Sequence, residues 1–181
     1  MVTAQRRPVC FTSVGLRPDG FPPAKFVIAL AKSADGFTFS LPHAVLEQND
    51  RYPTKLGFTG YSTPSASVHG NRVHLFYDVG YCAPKAEHKW TQVAIHHAMS
   101  EDGEIHWSQD AERIFTRRSF DWLSMEVRAP CALFDGTTLK LWFAGNAQIQ
   151  DFLPDVRSTG RTAKVGIGYA TTKTSHYDGR K

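Results

Sequence analysis

The chain has 181 residues, of which 41% are hydrophobic, 21% charged and 12% aromatic, and its formal net charge is +4. This composition is typical of one soluble globular domain with enough chain to bury a core, and the aromatic share favours strands over a helical bundle. Because Lys and Arg are scattered along the chain, the charge does not predict nucleic-acid binding, and we expect no nucleic-acid partner.

The first third of the chain predicts three strands and a connection. A short apolar run, Val9 to Val14, ends at an Arg-Pro-Asp-Gly turn signal. The next runs are Phe26 to Ala31 and, after an Asp-Gly turn, Phe37 to Leu41. The polar stretch Asn49 to Thr59 is interpreted as a link between structural units or, through Asp50, as a ligand-facing loop.

The middle of the chain predicts a complete four-stranded antiparallel unit joined by tight turns. Its strands are Pro64 to His69, Val73 to Val79, Gln92 to Met99 and Ile105 to Ser108. A second hairpin follows between Glu126 and Gly145, and a last strand runs from Val165 to Thr171. Residues 173–181 offer no apolar partner, so we expect a frayed tail.

The two hairpins are near copies of one another. Residues 62–80 align without a gap on residues 128–146, so that Pro64 falls on Pro130 and Gly70 on Gly136, 66 residues later. A second element repeats in step, because the Ala-x-Ser-x-Asp-Gly segment at Ala31 recurs at Ala98, 67 residues later. Four short strands repeated at this period predict the blades of a β-propeller, since a β-sandwich does not repeat its sequence.

These segments resemble the blade repeats of five-bladed β-propeller glycosidases, the group that includes glycoside hydrolase families 43, 32, 68 and 130. The resemblance rests on the two Asp-Gly segments, each coupled to a Pro-led strand and an aromatic hairpin, and it covers most of residues 26–172. It implies an all-β partial propeller of about two and a half four-stranded antiparallel blades, with pieces at roughly 1–48, 60–117 and 124–172. The Pro-led strands would be innermost, and carbohydrate is the implied partner.

Five such blades need roughly 330 residues, more than this chain supplies. Three alternatives stay open: a piece of a longer protein, closure of the ring by further copies in a homo-oligomer, or further blades on another chain. An open propeller leaves the apolar faces of its end blades exposed.

Propeller glycosidases cleave the glycosidic bond with paired carboxylates. The resemblance places these at the inner strands, but Ser65 follows Pro64, and Arg128 stands two residues before Pro130. Glu126 is the candidate acid, because a displacement of two residues in a strand keeps the same face. The alternative for Glu126 is a solvated carboxylate or a partner of Arg128.

Substrate-binding candidates surround Glu126 in the expected funnel. Arg128 is a candidate clamp for a sugar hydroxyl or carboxylate. Trp122 and Tyr61 are candidate aromatic platforms, with core packing as the alternative. Ser62 and Asp50 complete the set. The functional hypotheses are hydrolysis of a glycosidic bond, a non-catalytic sugar-binding propeller such as one attached to a glycosyltransferase, and an assembly module.

The remaining signals exclude several classes of site. The cysteines Cys10, Cys82 and Cys131 lack zinc-type spacing, and Cys131 is predicted to be a small apolar filler in a buried strand. No nucleophile or phosphate-cradling motif is present, so we expect no metal and no cofactor. Without a signal peptide or a long apolar run, a cytoplasmic location and no membrane partner are expected.

Overall fold

The computed structural model describes residues 9–16, 25–47, 58–82, 90–123, 125–148 and 163–178. These residues form an all-β structure with a single helical turn, α1, at Ser175–Asp178. The strands are β1 Val9–Leu16, β2 Lys25–Lys32, β3 His43–Leu46, β4 Phe58–His69, β5 Arg72–Cys82, β6 Trp90–Ser100, β7 Ser108–Gln109, β8 Phe115–Thr116, β9 Glu126–Asp135, β10 Thr138–Gln148 and β11 Ala163–Lys173.

The strands form three antiparallel sheets. The first sheet has the order β1-β2-β3, the second β4-β5-β6-β7 with β8 also paired to β6, and the third β11-β10-β9. The Ala-x-Ser-x-Asp-Gly segment of the second sheet ends strand β6, the third strand from β4, as the blade prediction requires. The described part of the first sheet begins at the equivalent of β5, so it shows no Pro-led inner strand.

The backbone confirms the sequence repeat. Gly70 and Gly136 turn their hairpins with φ of 59° and 57°, and Gly36 and Gly103 follow their aspartates with φ of 82° and 69°. These are left-handed conformations that only glycine adopts without strain. Equivalent positions in the sequence therefore have the same local geometry.

Two predicted strands after the Asp-Gly turns are wrong. In the first sheet, residues 37–41 form a bend with one isolated bridge at Phe39, and the strand comes later, at β3. In the second sheet, the strand predicted at residues 105–108 is the shorter β7, which begins at Ser108. The cause is the aspartate of each turn. Asp35 Oδ1 accepts the N–H groups of Phe37 and Thr38 at 2.8 Å, and Asp102 Oδ1 accepts the equivalent groups. These backbone donors are then lost to the sheet.

The Pro-led strands β4 and β9 lie side by side as the inner strands of neighbouring sheets. Ala132 N–H donates to Ser65 Oγ at 3.0 Å, and Phe134 N–H donates to Ser67 Oγ at 3.3 Å. Because the two strands belong to different sheets, the sheets fan about a shared axis. The structure is thus a partial β-propeller.

Apolar clusters fill the spaces between the sheets. Between the first and second sheets, Ile28 and Leu46 pack on Leu75 and Tyr77. Between the second and third, Phe76 and Ile95 pack on side chains of β9 and β10 such as Phe143. At about 25 cal/mol per Å² of buried apolar area, this burial is the main source of stability.

The outward face of the third sheet is uncovered among the described residues. Ile167 is 80% exposed and Tyr169 54%, whereas Phe76 and His97 occupy the corresponding face of the second sheet and are buried beneath the third sheet. Cys131 lies on the same outward face and is exposed, so its prediction as a buried filler is wrong. The side chains of β9 alternate between the two faces of the sheet as expected, but the outward face has no neighbour among the described residues.

The tail does not fray over residues 174–178. Tyr177 N–H donates to Thr174 O at 2.7 Å, and the Tyr177 ring is 8% exposed, packed edge-on against His97 at 4.9 Å. This correction arises because Tyr177 finds its apolar partners on the second sheet, far away in sequence. Within the described ranges, no helix is both long enough and apolar enough to cross a bilayer.

Candidate functional site

The candidate site lies where the inner strands β4 and β9 begin. Glu126, the first residue of β9, pairs in register with Asn146 near the end of β10. Its carboxylate Oε2 accepts a hydrogen bond from Asn146 Nδ2 at 3.0 Å, and its side chain is 15% exposed. The Glu126 carboxylate is thus mostly buried and has a fixed orientation. Asn146 is not singled out by the sequence, where it begins a predicted loop.

Arg128 accompanies Glu126 on the same strand. Its Nε lies 3.8 Å from Glu126 Oε2, and its side chain is 44% exposed. At this distance and exposure the ion pair is worth well under about 1 kcal/mol, so most of the hydrogen-bonding capacity of the guanidinium is available to a ligand. The structure thus brings together the predicted acid and the predicted clamp.

Beside these residues, both inner strands contain the same irregularity. Thr63 and Ala129, 66 residues apart, have positive φ angles of 37° and 50°, and the sheet register shifts at each of them. Each residue precedes a proline, which disfavours this backbone conformation further. Strain of this kind costs about 1–3 kcal/mol per residue and concentrates at functional sites.

A buried carboxyl group joins the two strained positions. Asp78, on β5, has no exposed surface, and its Oδ2 accepts both the Thr63 hydroxyl and the Ala129 N–H, the latter at 2.9 Å. Asp78 Oδ1 is also buried and has no hydrogen-bond partner among the described residues. The Asp78 side chain of the second sheet therefore holds β4 and β9 together near Glu126, the first residue of β9.

Burial raises the pKa of Asp78 above its usual range, and the hydrogen bonds from Thr63 and Ala129 only partly offset this effect. The sequence does not single out this group, because it lies inside an apolar run. A signal is present, however, since Asp78 is the one carboxylate in the run from Val73 to Val79, and fully buried aspartates are rare unless they are paired.

The other predicted site residues are placed differently. Tyr61 is fully buried in the core, with its ring 4.9 Å from that of Tyr77, so it supports the strand instead of lining a funnel. Trp122 stacks on Phe143 at 6.0 Å and covers Gly166, where a Cβ would meet its ring at 3.1 Å. Both positions fit the packing alternative.

Ser62 is partly buried and borders a small cavity of about 110 Å³ between the first and second sheets, apart from Glu126. Asp50 lies outside the described residues. In the part of the chain that the structure describes, no group of three or more His, Cys, Asp or Glu side chains is arranged to hold a metal ion.

Several solved structures share this fold. The BT0996 RGII complex superposes with a TM-score of 0.62 at 15% identity over 91% of this chain and 41% of its own. A thermostable family-43 glycoside hydrolase gives 0.62 at 15% identity over 93% and 52%. An N-acetylgalactosamine deacetylase from F. plautii, in complex with blood group B trisaccharide, gives 0.58 at 13% identity over 82% and 42%.

No protein-family model and no curated protein sequence matches the chain. The chain spans about half or less of each of these three solved structures. At such low identities the likeness establishes the fold and not the activity. Together with the sheet order and the repeated inner strands, it identifies the chain as a partial β-propeller with the architecture of the glycoside hydrolase propellers.

Proposed function

We propose that this propeller binds carbohydrate at the site formed by Glu126, Arg128 and Asn146. The observation that carries the proposal is the largely buried Glu126 carboxylate, held by Asn146 and flanked by the exposed Arg128 beside two strained inner strands. Support comes from the solved structures with this fold, which include a glycoside hydrolase and a deacetylase bound to a trisaccharide.

The chemistry of these side chains suits a polyhydroxylated ligand. Glu126 accepts hydrogen bonds from sugar hydroxyls, and Arg128 donates to a hydroxyl or carboxylate oxygen. Thr63 is exposed, and because its hydroxyl donates to Asp78, its oxygen lone pairs are oriented as acceptors. A ligand with alternating donors and acceptors matches this surface.

Binding without hydrolysis is the better-supported form of the proposal. Hydrolysis needs a second carboxylate beside the scissile bond. Asp78 is fully buried with one oxygen bonded twice, and Ser65 Oγ is already engaged by Ala132 N–H. Hydrolysis, with Glu126 as the acid, is the second candidate, and it requires a second carboxylate that can reach the scissile bond.

Calorimetric titration with arabinan, galactan and xylan oligosaccharides tests binding. If the site is used, Glu126→Gln and Arg128→Ala each weaken affinity about tenfold or more, because each removes a charge-assisted hydrogen bond. The matched control is Arg113→Ala, an exposed arginine in the segment before β8, which leaves affinity unchanged. Equal affinity in Arg128→Ala and the parent chain would contradict the proposed site.

Release of aryl leaving groups from aryl-glycosides tests the second candidate. Turnover that disappears in Glu126→Gln supports hydrolysis, whereas turnover that is unchanged in that variant excludes Glu126 as the acid. Saturable binding with no turnover identifies a sugar-binding propeller.

A further inference from the structure

A second cavity lies at the end of the second sheet opposite to Glu126, beside the Gly70 hairpin turn. It has a volume of about 540 Å³, within the usual range for small-molecule sites. Its polar and aromatic lining consists of His69, Asn71, Arg72, His74, Glu101 and Tyr177. Strand β4 begins near Glu126 and ends at this cavity, so the two sites lie at opposite ends of the strand.

A chain of hydrogen bonds leads to this cavity from a carboxylate. Asp110 Oδ2 lies 3.1 Å from His97 Nδ1, and His97 Nε2 lies 2.9 Å from His74 Nδ1. An ionised carboxylate only accepts, so His97 Nδ1 carries a proton, and in the neutral form of this ring Nε2 is an acceptor. Neutral His74 must then carry its own proton on Nδ1. His74 Nε2 is left as a bare lone pair.

This lone pair is unused in the structure. His74 is 1% exposed, and its Nε2 has no hydrogen-bond partner among the described residues. Burial, with smaller contributions from His97, His69 and Arg72, lowers the pKa of His74 to about 4, so the ring stays neutral near neutral pH. An unsatisfied buried acceptor is costly, which makes a hydrogen-bond donor in the cavity favourable.

The charged side chains that line the cavity indicate which class of hydrogen-bond donor it binds. Arg72 and Glu101 lie 3.4 Å apart and together contribute no net charge. An anion would be attracted by Arg72 but opposed by Glu101 and by the His74 lone pair, and a cation would be attracted by Glu101 but opposed by Arg72. A neutral molecule with several hydroxyls satisfies the lone pair, the carboxylate and the guanidinium together.

We propose that this cavity binds a neutral polyol of monosaccharide size, one hydroxyl of which donates to His74 Nε2 while others pair with Arg72 and Glu101. The ring of Tyr177 lies edge-on to His74, with the ring centres 5.8 Å apart, on the short turn α1. Because Nε2 is screened from solvent, a hydroxyl reaches it only if side chains around His74 shift.

Long-range proton–nitrogen spectra of the histidine rings test the proposal directly. In the free protein, His74 is expected to show a protonated Nδ1 and an unprotonated Nε2. Titration with D-galactose, L-arabinose, D-glucose or glycerol should shift the Nε2 signal saturably, with millimolar affinity typical of a single sugar unit, or about 4 kcal/mol of binding free energy. A protonated Nε2, or no shift with any of the four probes, overturns the proposal.

Two variants separate this cavity from the site at Glu126. Arg72→Ala removes a partly exposed rim side chain, so it is expected to fold and to weaken the His74 response about tenfold. Arg128→Ala should leave the sugar-induced shift at His74 in place, because that residue lies at the opposite end. A response that survives Arg72→Ala at full affinity, or that vanishes in Arg128→Ala, overturns the proposal.

Discussion

The two junctions between neighbouring sheets are built differently. The first and second sheets meet through apolar packing, an edge-to-face contact between Phe11 and Trp107 at 5.7 Å, and a surface ion pair between Lys32 and Glu104 at 2.6 Å. The junction between the second and third sheets, the second junction, adds directional hydrogen bonds, among them those from Ala129 N–H to the buried Asp78 carboxyl and from Ala132 N–H to Ser65 Oγ. Apolar packing tolerates small shifts, whereas these bonds fix the position of β9 and therefore of Glu126.

The largest effect is expected when Asp78 is removed. Asp78→Ala leaves the Thr63 hydroxyl and the Ala129 N–H without their acceptor, at a cost of about 3 kcal/mol in the free energy of unfolding. Asp78→Asn keeps an acceptor and should cost clearly less. Denaturant unfolding measures both variants.

The equivalent position in the third sheet provides the control for Asp78. Ala144→Ser, 66 residues later, disturbs no such bond and should change stability by less than about 0.5 kcal/mol. If Asp78→Ala were as mild as Ala144→Ser, the second junction would be held by packing in the same way as the first.

The next largest effect is a pH dependence of the free energy of unfolding, and it arises from His74 at the junction between the second and third sheets. The folded pKa of His74 is about 4, against a value of about 6.5 in the unfolded chain, so between these values only the unfolded chain takes up the proton. The free energy of unfolding should fall by up to about 3 kcal/mol as the pH drops through this window.

Unfolding free energies measured across the window check the assignment to His74. His74→Phe should flatten the curve between pH ~4 and ~6.5, whereas His43→Gln, at an exposed histidine of the first sheet, should leave it unchanged. A curve of the same shape in His74→Phe and the parent chain would mean that another group carries the dependence.

A smaller loss is expected from a hydroxyl at the second junction. Ser65→Ala deprives the Ala132 N–H of its acceptor on the neighbouring inner strand, which should cost about 1 kcal/mol. Thermal unfolding, compared with that of Ser108→Ala at an exposed serine of β7, measures the difference. A cost no larger than that of the control would show that the contact between β4 and β9 depends on shape alone.

The smallest effect belongs to the first junction. Glu104→Gln removes an ion pair whose two side chains are 40% and 46% exposed, so the cost should stay below about 1 kcal/mol and vanish in high salt. Unfolding in low and high salt checks this. A loss as large as that of Asp78→Ala would reverse the contrast between the two junctions.

The sequence was informative wherever its signal is local or repeated. The offset between Pro64 and Pro130 predicted equivalent inner strands, and the glycines at 70 and 136 have the expected turn geometry. It failed where a polar side chain competes with the sheet, because Asp35 binds the backbone N–H groups that the predicted strand needed. It also failed for Tyr177, whose partners are distant in sequence.

Of the candidate site, Glu126 and Arg128 were predicted from the spacing to Pro130, and the structure places them together. Asp78 was not predicted, because its importance depends on the Ala129 N–H of another sheet, which no local pattern encodes. Tyr61 was overvalued, since an aromatic residue at the start of an inner strand packs into the core as readily as it faces a ligand.

The uncovered face of the third sheet has a practical consequence for protein engineering. Its aromatic pair, Trp142 and Tyr169, stands where the second sheet uses Phe76 and His97 to seat its neighbour. A designer who concatenates another copy of residues 126–173 therefore starts from a face that already carries aromatic side chains at the positions of Phe76 and His97. Conversely, a polar capping sequence on that face, of the kind that ends repeat arrays, should improve the solubility of the isolated chain.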